Sequence, residues 1–210
     1  PLIGMAQDRL AAYEPAFADE LAILMRHAFA HMQAENGSSV WLRLSTRGLE
    51  QPERTLDPAA VIAGGYWVTP PAPGARIAIA YQGPLAPEAM AAFATLREEE
   101  PGAGLLAVTS PDRLHQGWIE ARKRARQGPG GAPSHIETLL APLARDAGIV
   151  TLLDGHPAAL DWMGAVRGQR VAALGVDRFG QAGDIPALYA EYGLDEAAIL
   201  DACAEVLVGQ

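Results

Sequence analysis

Apolar residues recur along this chain in two rhythms, and the rhythms alternate. Near the start, Phe17, Leu21, Leu24 and Ala28 form a helical stripe that opens after Pro15 and stops at Asn36-Gly37. Val40, Leu42 and Leu44 then alternate with Trp41, Arg43 and Ser45, which predicts a strand. One helix and one strand cannot close a core, so they are expected to pack on the rest of the chain or on sequence that precedes it. Residues 47–64 carry two prolines, mixed charge and no clean period, and read as a linker.

After residue 64 strand and helix patterns take turns. Tyr66–Thr69 and Arg76–Tyr81 predict strands joined as a hairpin by a Pro/Gly turn. Pro87–Glu99 predicts a helix with Met90, Phe93 and Ala94 on one face, Leu105–Thr109 a strand, and Pro111–Arg126 a helix carrying Leu114 and Trp118. Ser134 and Glu137 make a capping box for a helix with Ile136, Leu139, Leu140 and Leu143, ending at Gly148. Ile149–Leu153 is a strand, Pro157–Ala165 a short helix and Arg170–Leu174 the last strand. Ile185, Leu188, Tyr189 and Tyr192 then share a helix face stopped by Gly193. Asp195 caps a final helix with Ile199, Ala202, Cys203 and Val206 at the same spacing. Short strands alternating with helices require crossovers, so the fold class is a three-layer α/β/α arrangement around a mainly parallel sheet. The hairpin supplies one antiparallel edge strand.

Composition narrows the function classes. The chain has 210 residues, of which 50% are hydrophobic, and no run approaches the roughly 18 apolar residues of a membrane span. Its 16 basic and 25 acidic residues leave a net charge of −9, which argues against a nucleic-acid partner. The run Arg122, Lys123, Arg124 and Arg126 is a local exception and reads as a solvated helix end. Acids from Asp184 to Glu205, with no Lys or Arg after Arg178, form a face that is either solvated or docks a basic partner. Cys203 is alone, so no disulfide frame or CxxC site exists, and a cytoplasmic location is expected. The first residue is Pro1 and not Met, which suggests a partial chain.

Among single residues, Arg47 stands at a strand end, where it could pair bidentately with an anionic substrate group or be an exposed linker arginine. Glu20, one turn beyond Phe17, would face the same region or simply favour the helix dipole. Phe17 is a core residue or a substrate contact. His156 follows Asp154-Gly155 at a strand's carboxyl end, where open sheets place ligands, yet no nucleophile or acid pairs with it by spacing. His27 and His31 share a helix face, but Ala28 stands where a zinc protease has its glutamate. In the loop after Leu174, Asp177 is expected to accept backbone hydrogen bonds, Phe179 to pack beneath and Gly180 to permit the turn. No catalytic, cofactor-binding or metal residue is assigned.

Two segments carry a family resemblance. Tyr13–Leu24, YEPAFADELAIL, resembles the Y-D/E-P-A-[FY]-x-x-E-x-A-x-I segment of homodimeric pyruvate dehydrogenase E1 components, and LGVDRFGQAGDIPALYAEYGLD resembles the closing segment of transketolase-like thiamine diphosphate enzymes. WLRLSTR, GGYWV, RIAIAYQGPL and LLAVTSPDRL are similar to that superfamily in a more diffuse way. Position 17 separates the branches: transketolases have an Asp that contacts the sugar, whereas Phe17 matches the aromatic of the 2-oxo acid enzymes. Arg47 is instead more like the transketolase arginine that grips a sugar phosphate.

The resemblance implies residues 1–46 as the tail of a middle, pyrimidine-binding domain, 47–64 as a linker and 65–210 as a transketolase C-terminal-like domain. It also implies thiamine diphosphate and Mg in the full-length enzyme, homodimerisation, an E2 dihydrolipoyl acyltransferase partner and no membrane or nucleic acid. Phe17, Glu20 and Arg47 become candidate substrate-binding residues. The G-D-G signature of the diphosphate site is missing from the chain, so this piece alone is expected to be inactive and to bind no cofactor. A transketolase fragment and a non-catalytic interaction or regulatory domain are the alternatives.

Overall fold

A computed structural model describes residues 2–128, 131–179 and 182–208. The chain opens with α1 (Leu2–Ala6), β1 (Leu10–Tyr13), α2 (Ala18–Gln33) and β2 (Ser39–Leu42). β1 and β2 pair in parallel, Leu10 opposite Ser39 and Tyr13 opposite Leu42, so α2 is the crossover of a small βαβ unit. The expected helix and strand are present, but the four residues LAAY add a strand that periodicity could not show. Ala11, Tyr13 and Leu24 pack with Val61, Val40 and Tyr66, which ties this unit to the rest of the chain. Its other side is open: Met25, Phe29 and Met32 lie one above another on α2 and are exposed, as are Trp41 and Leu44.

The reading of residues 47–64 as irregular holds as far as Leu56. There Asp57 caps a six-residue helix, α3 (Pro58–Ala63), by accepting a hydrogen bond from the Ala59 amide. Six residues are too few to display a period.

A five-stranded sheet follows, built from β3 (Gly65–Thr69), β4 (Ala75–Gln82), β5 (Gly104–Val108), β6 (Leu143–Leu153) and β7 (Arg170–Leu174) in the order β3-β5-β4-β6-β7. Every pairing is parallel except β3 with β5. Alternate residues of β4 serve opposite layers. Ile77, Ile79 and Tyr81 meet α4 (Ala86–Glu99) and α9 (Glu196–Val208), whereas Ala78 and Ala80 join the core under α5 (Pro111–Gln127) and α6 (His135–Leu140). Burial on both faces explains the continuous apolar run. The remaining helices are α7 (Gly164–Arg167) and α8 (Ile185–Glu191).

The antiparallel edge strand is present, but not as a hairpin. β3 lies beside β5, because residues 70–74 cross the sheet edge: the Ala72 amide donates to Gly102 O and the Gly74 amide to Pro142 O. The expected helix through Leu143 stops at Leu140. Leu143 opens β6, which runs through Gly148 with a register shift against β4. Pro157–Ala165 is two single 3-10 turns leading into α7, not one helix, with Leu160 at φ −124° breaking the first turn from the second. Phe179 does not pack beneath its loop. It is 97% exposed, only its carbonyl being held by the Tyr192 hydroxyl, and Gly180 lies outside the described residues.

The last helix follows its stripe closely: Ile199, Ala202, Cys203 and Val206 are all buried. A Cβ at Gly148 would come within 2.4 Å of Val206 Cγ2, so α9 rests directly on the β6 backbone. Gly148→Ala is therefore expected to cost about 1–3 kcal/mol through overpacking, read by urea denaturation. Adding Val206→Ala should recover part of that loss. Equal stability of the single variant and the parent would contradict this packing.

Candidate functional site

The carboxyl ends of β4, β5 and β6 meet the N-terminal βαβ unit, and charged side chains gather along that seam. Open parallel sheets bind ligands at this end. The Glu14 amide donates to Thr109 O just beyond β5, and the residue is 4% exposed. Gln82 Nε2, at the end of β4, donates to Glu14 Oε2 at 3.0 Å. Arg43 Nη1 donates to Glu14 Oε1 and to Asp154 O, each at 2.6 Å, joining the end of β2 to the end of β6. Burial pushes the Glu14 carboxyl up to about 7, although Arg43 pulls the other way. Gly83 has φ of 59°, and a Cβ there would sit 2.6 Å from Glu14 Oε1, so glycine permits both the turn and the contact.

A second cluster forms around Glu20, which is 1% exposed. Its Oε2 folds back to accept the Ala16 and Phe17 amides at 2.7 and 3.2 Å, satisfying donors at the start of α2. Its Oε1 accepts from the Tyr66 hydroxyl and, at 3.1 Å, from Arg54 Nη2. Arg54 also pairs with Asp19 through Nε at 2.8 Å and Nη2 at 3.0 Å, and lies 4.7 Å over the Phe17 ring. Burial opposes the charge on Arg54, yet Asp19 and Glu20 hold its pKa above the usual arginine value. The Tyr66 and Tyr81 phenols are raised by burial and then by Glu20.

The candidate residues divide accordingly. Phe17 and Glu20 are brought together, and Phe17 is 5% exposed, a core position that also borders a cavity of about 670 Å³ walled by Glu50, Gln51, Pro52, Glu53, Pro87 and Met90. Arg47 stands apart from them. Its Nη1 donates to Pro84 O at 2.8 Å, and its guanidinium grips both Glu88 oxygens at 2.9 and 2.7 Å beside the Tyr189 ring. The guanidinium fork is thus occupied by the protein itself. Arg54 and Arg43 were missed, because their partners lie 29 to 111 residues away in sequence.

The histidines do other work. His156 Nδ1 accepts the Ala158 amide at the start of a turn. His27 and His31 stack with ring centres 5.4 Å apart, and His31 Nε2 meets Ser38 Oγ at 2.8 Å. Burial, then the charge of His31, lowers the His27 pKa.

Two outcomes test this seam. Arg54→Met leaves the buried Glu20 carboxylate without its cation and is expected to cost about 3–5 kcal/mol, more than Glu20→Gln with Arg54→Met together, by denaturant titration. For Glu14 the folded pKa lies above the ordinary 4.5, so folding favours the protonated acid. Its contribution is full below about 4.5 and is lost as pH rises through about 7. Glu14→Gln should flatten the thermal-stability profile across that window. An unchanged profile would show that Glu14 does not titrate there.

Comparisons with known proteins agree with this architecture. No family model matches the sequence. The chain is 27% identical, over 98% of its length, to a pyruvate dehydrogenase E1 component of Mycolicibacterium smegmatis, and spans only 23% of that protein. Among solved structures, a transketolase from Pichia stipitis superposes with a TM-score of 0.70 at 17% identity, over 99% of this chain and 26% of the other. A transketolase from Leishmania mexicana gives 0.68 at 15% identity, over 99% and 27%. A split-gene transketolase described as an inactive β4 tetramer gives 0.63 at 18%, over 98% and 60%. In fold, then, the chain is similar to a part of these transketolases, and in sequence to a part of a pyruvate dehydrogenase E1 component.

Proposed function

We propose that this chain is the C-terminal part of a thiamine diphosphate-dependent 2-oxo acid dehydrogenase E1 component that acts on pyruvate. It would contribute assembly and the shape of the site, not catalytic groups. The observation that carries this reading is the 27% identity sustained over 98% of the chain with a pyruvate dehydrogenase E1 component. Phe17 adds to it, since an aromatic ring packed under Arg54 has no group with which to bind a sugar hydroxyl.

In this reading residues 1–46 close a pyrimidine-binding domain, 47–64 link the domains and 65–210 form the C-terminal one. Phe17 gives the 670 Å³ cavity an apolar wall, and Glu20 holds the Phe17 amide in place. Arg47 fixes the strap of residues 47–56 to α4 through Glu88. The exposed apolar face of α2 supports a role in homodimer assembly, and the E2 acyltransferase would be the partner of the whole enzyme.

The cofactor and its Mg do not fit the donors of this chain. Among the described residues no group of three or more His, Cys, Asp or Glu could hold a metal. The buried carboxylates Glu14 and Glu20 are already taken by Arg43 and Arg54. A diphosphate without its cation is costly to bury, so both are assigned to another part of the enzyme.

Transketolase is the second reading, on the strength of the structural likeness and Arg47. The occupied guanidinium of Arg47 weighs against a sugar-phosphate grip. Calorimetry on the 210-residue chain is expected to show no tight, magnesium-dependent uptake of thiamine diphosphate, and such uptake would refute the assignment. The longer polypeptide containing this chain should reduce ferricyanide in the presence of pyruvate. Two-carbon transfer from a ketose phosphate without pyruvate oxidation would establish the transketolase reading instead.

A further inference from the structure

We propose that the amino-terminal edge of β6 and β7, together with the end of α5, binds an acidic segment of a partner protein. This edge lies at the opposite end of the sheet from Phe17 and Glu20, so its test is independent of the enzyme reading above.

The chain is acidic, yet α5 alone holds five of its 16 basic residues: Arg113, Arg122, Lys123, Arg124 and Arg126. The last four are all exposed, at the carboxyl end of the helix. A Cβ at Gly131 would lie 3.8 Å from Arg124 Cβ, and Pro133, two residues on, stands on the rim of a cavity of about 630 Å³. Arg145 and Arg167 line the same cavity, with Glu137, Thr138, Ala141 and Val166 forming the rest of its wall. Beside it, Arg170 reaches back to Asp146 O. The basic side chains thus continue from α5 across the sheet edge to β7.

The acids at this edge are Asp146, exposed beside Arg145, and Asp8 and Glu120, which share a neighbouring cavity with Lys123. Glu137 lines the cavity, but its Oε2 is engaged by the Ser134 amide and hydroxyl at 2.7 and 2.6 Å. Glu120 lies 4.0 Å from Arg124, an exposed pair of little strength. Arg167, on the cavity wall, has its Nε buried with no acceptor among the described residues. Arginine forks match carboxylates in geometry, and Ala141, Val166 and Pro133 offer apolar surface to an aliphatic neighbour.

An acidic peptide fits better than a nucleic acid. A net charge of −9 repels a dense polyanion beyond the patch. The aromatic ring at the patch, Trp118, is 5% exposed and covered by Arg122, so it offers no stacking platform.

A fluorescein-labelled peptide of alternating Glu and Leu, titrated with the protein and read by anisotropy, tests this. Binding is expected at low salt, with loss in about 0.5 M salt. The triple substitution Lys123→Glu, Arg126→Glu, Arg145→Glu should weaken it roughly tenfold or more. Circular dichroism melts report whether that protein folds, and the milder Lys123→Gln, Arg126→Gln, Arg145→Gln set should weaken binding to an intermediate degree. Absence of binding at low salt, or indifference to both sets, would overturn the proposal. So would tighter binding of a single-stranded DNA probe, or self-association in ultracentrifugation that the same substitutions abolish, which would assign the edge to a second copy.

Discussion

Two carboxylates buried at the junction between the small βαβ unit and the large sheet set the terms for everything around them. A lone ionised carboxylate in a protein interior is opposed by several kcal/mol of lost hydration. Glu14 and Glu20 are buried to 4% and 1% exposure, so each needs a cation or a proton. The chain meets that need with Arg43 from the end of β2 and Arg54 from the strap that follows. The demand of two acids therefore dictates where an otherwise irregular segment must run.

From this constraint the shape of the site follows. With Arg54 drawn down onto Glu20 and Asp19, its guanidinium covers the Phe17 ring, and the residues before it become the wall of a cavity. Arg47 anchors the other end of the same strap to Glu88 and Pro84. Gly83 allows the β4 end to press against Glu14. Sheet, helix and strap are thus held by charge pairing in a region where apolar packing alone would leave polar ends unsatisfied.

Much of the layer architecture was legible because it is local. The stripe Ile199, Ala202, Cys203, Val206 and the Ser134–Glu137 box each declare themselves within a few residues, and both are present in the structure. What was not legible is pairing across distance. β1 is four residues long, and its partner strand begins 29 positions after Leu10. The first half of β6, with Arg145 and Asp146 exposed, has lost the apolar run that marks a buried strand. The supposed hairpin failed because neighbouring patterns say nothing about which strand comes between them. The same holds for the site: Glu20 and Phe17 follow from one helical turn, whereas the partners of Arg47 and Arg54 lie 34 to 41 residues away.

Clamping the strap at both ends leaves Gly48–Glu53 between the two arginines as a short, tethered span. Neither Glu20 nor Glu88 bonds to a side chain of that span, yet Leu49 packs against the sheet core and Gln51 Oε1 accepts the Ala18 amide at the start of α2. The span is thus tied into the fold at its middle as well as at its ends, and the carboxylate–guanidinium fastenings hold the βαβ unit and the sheet in register.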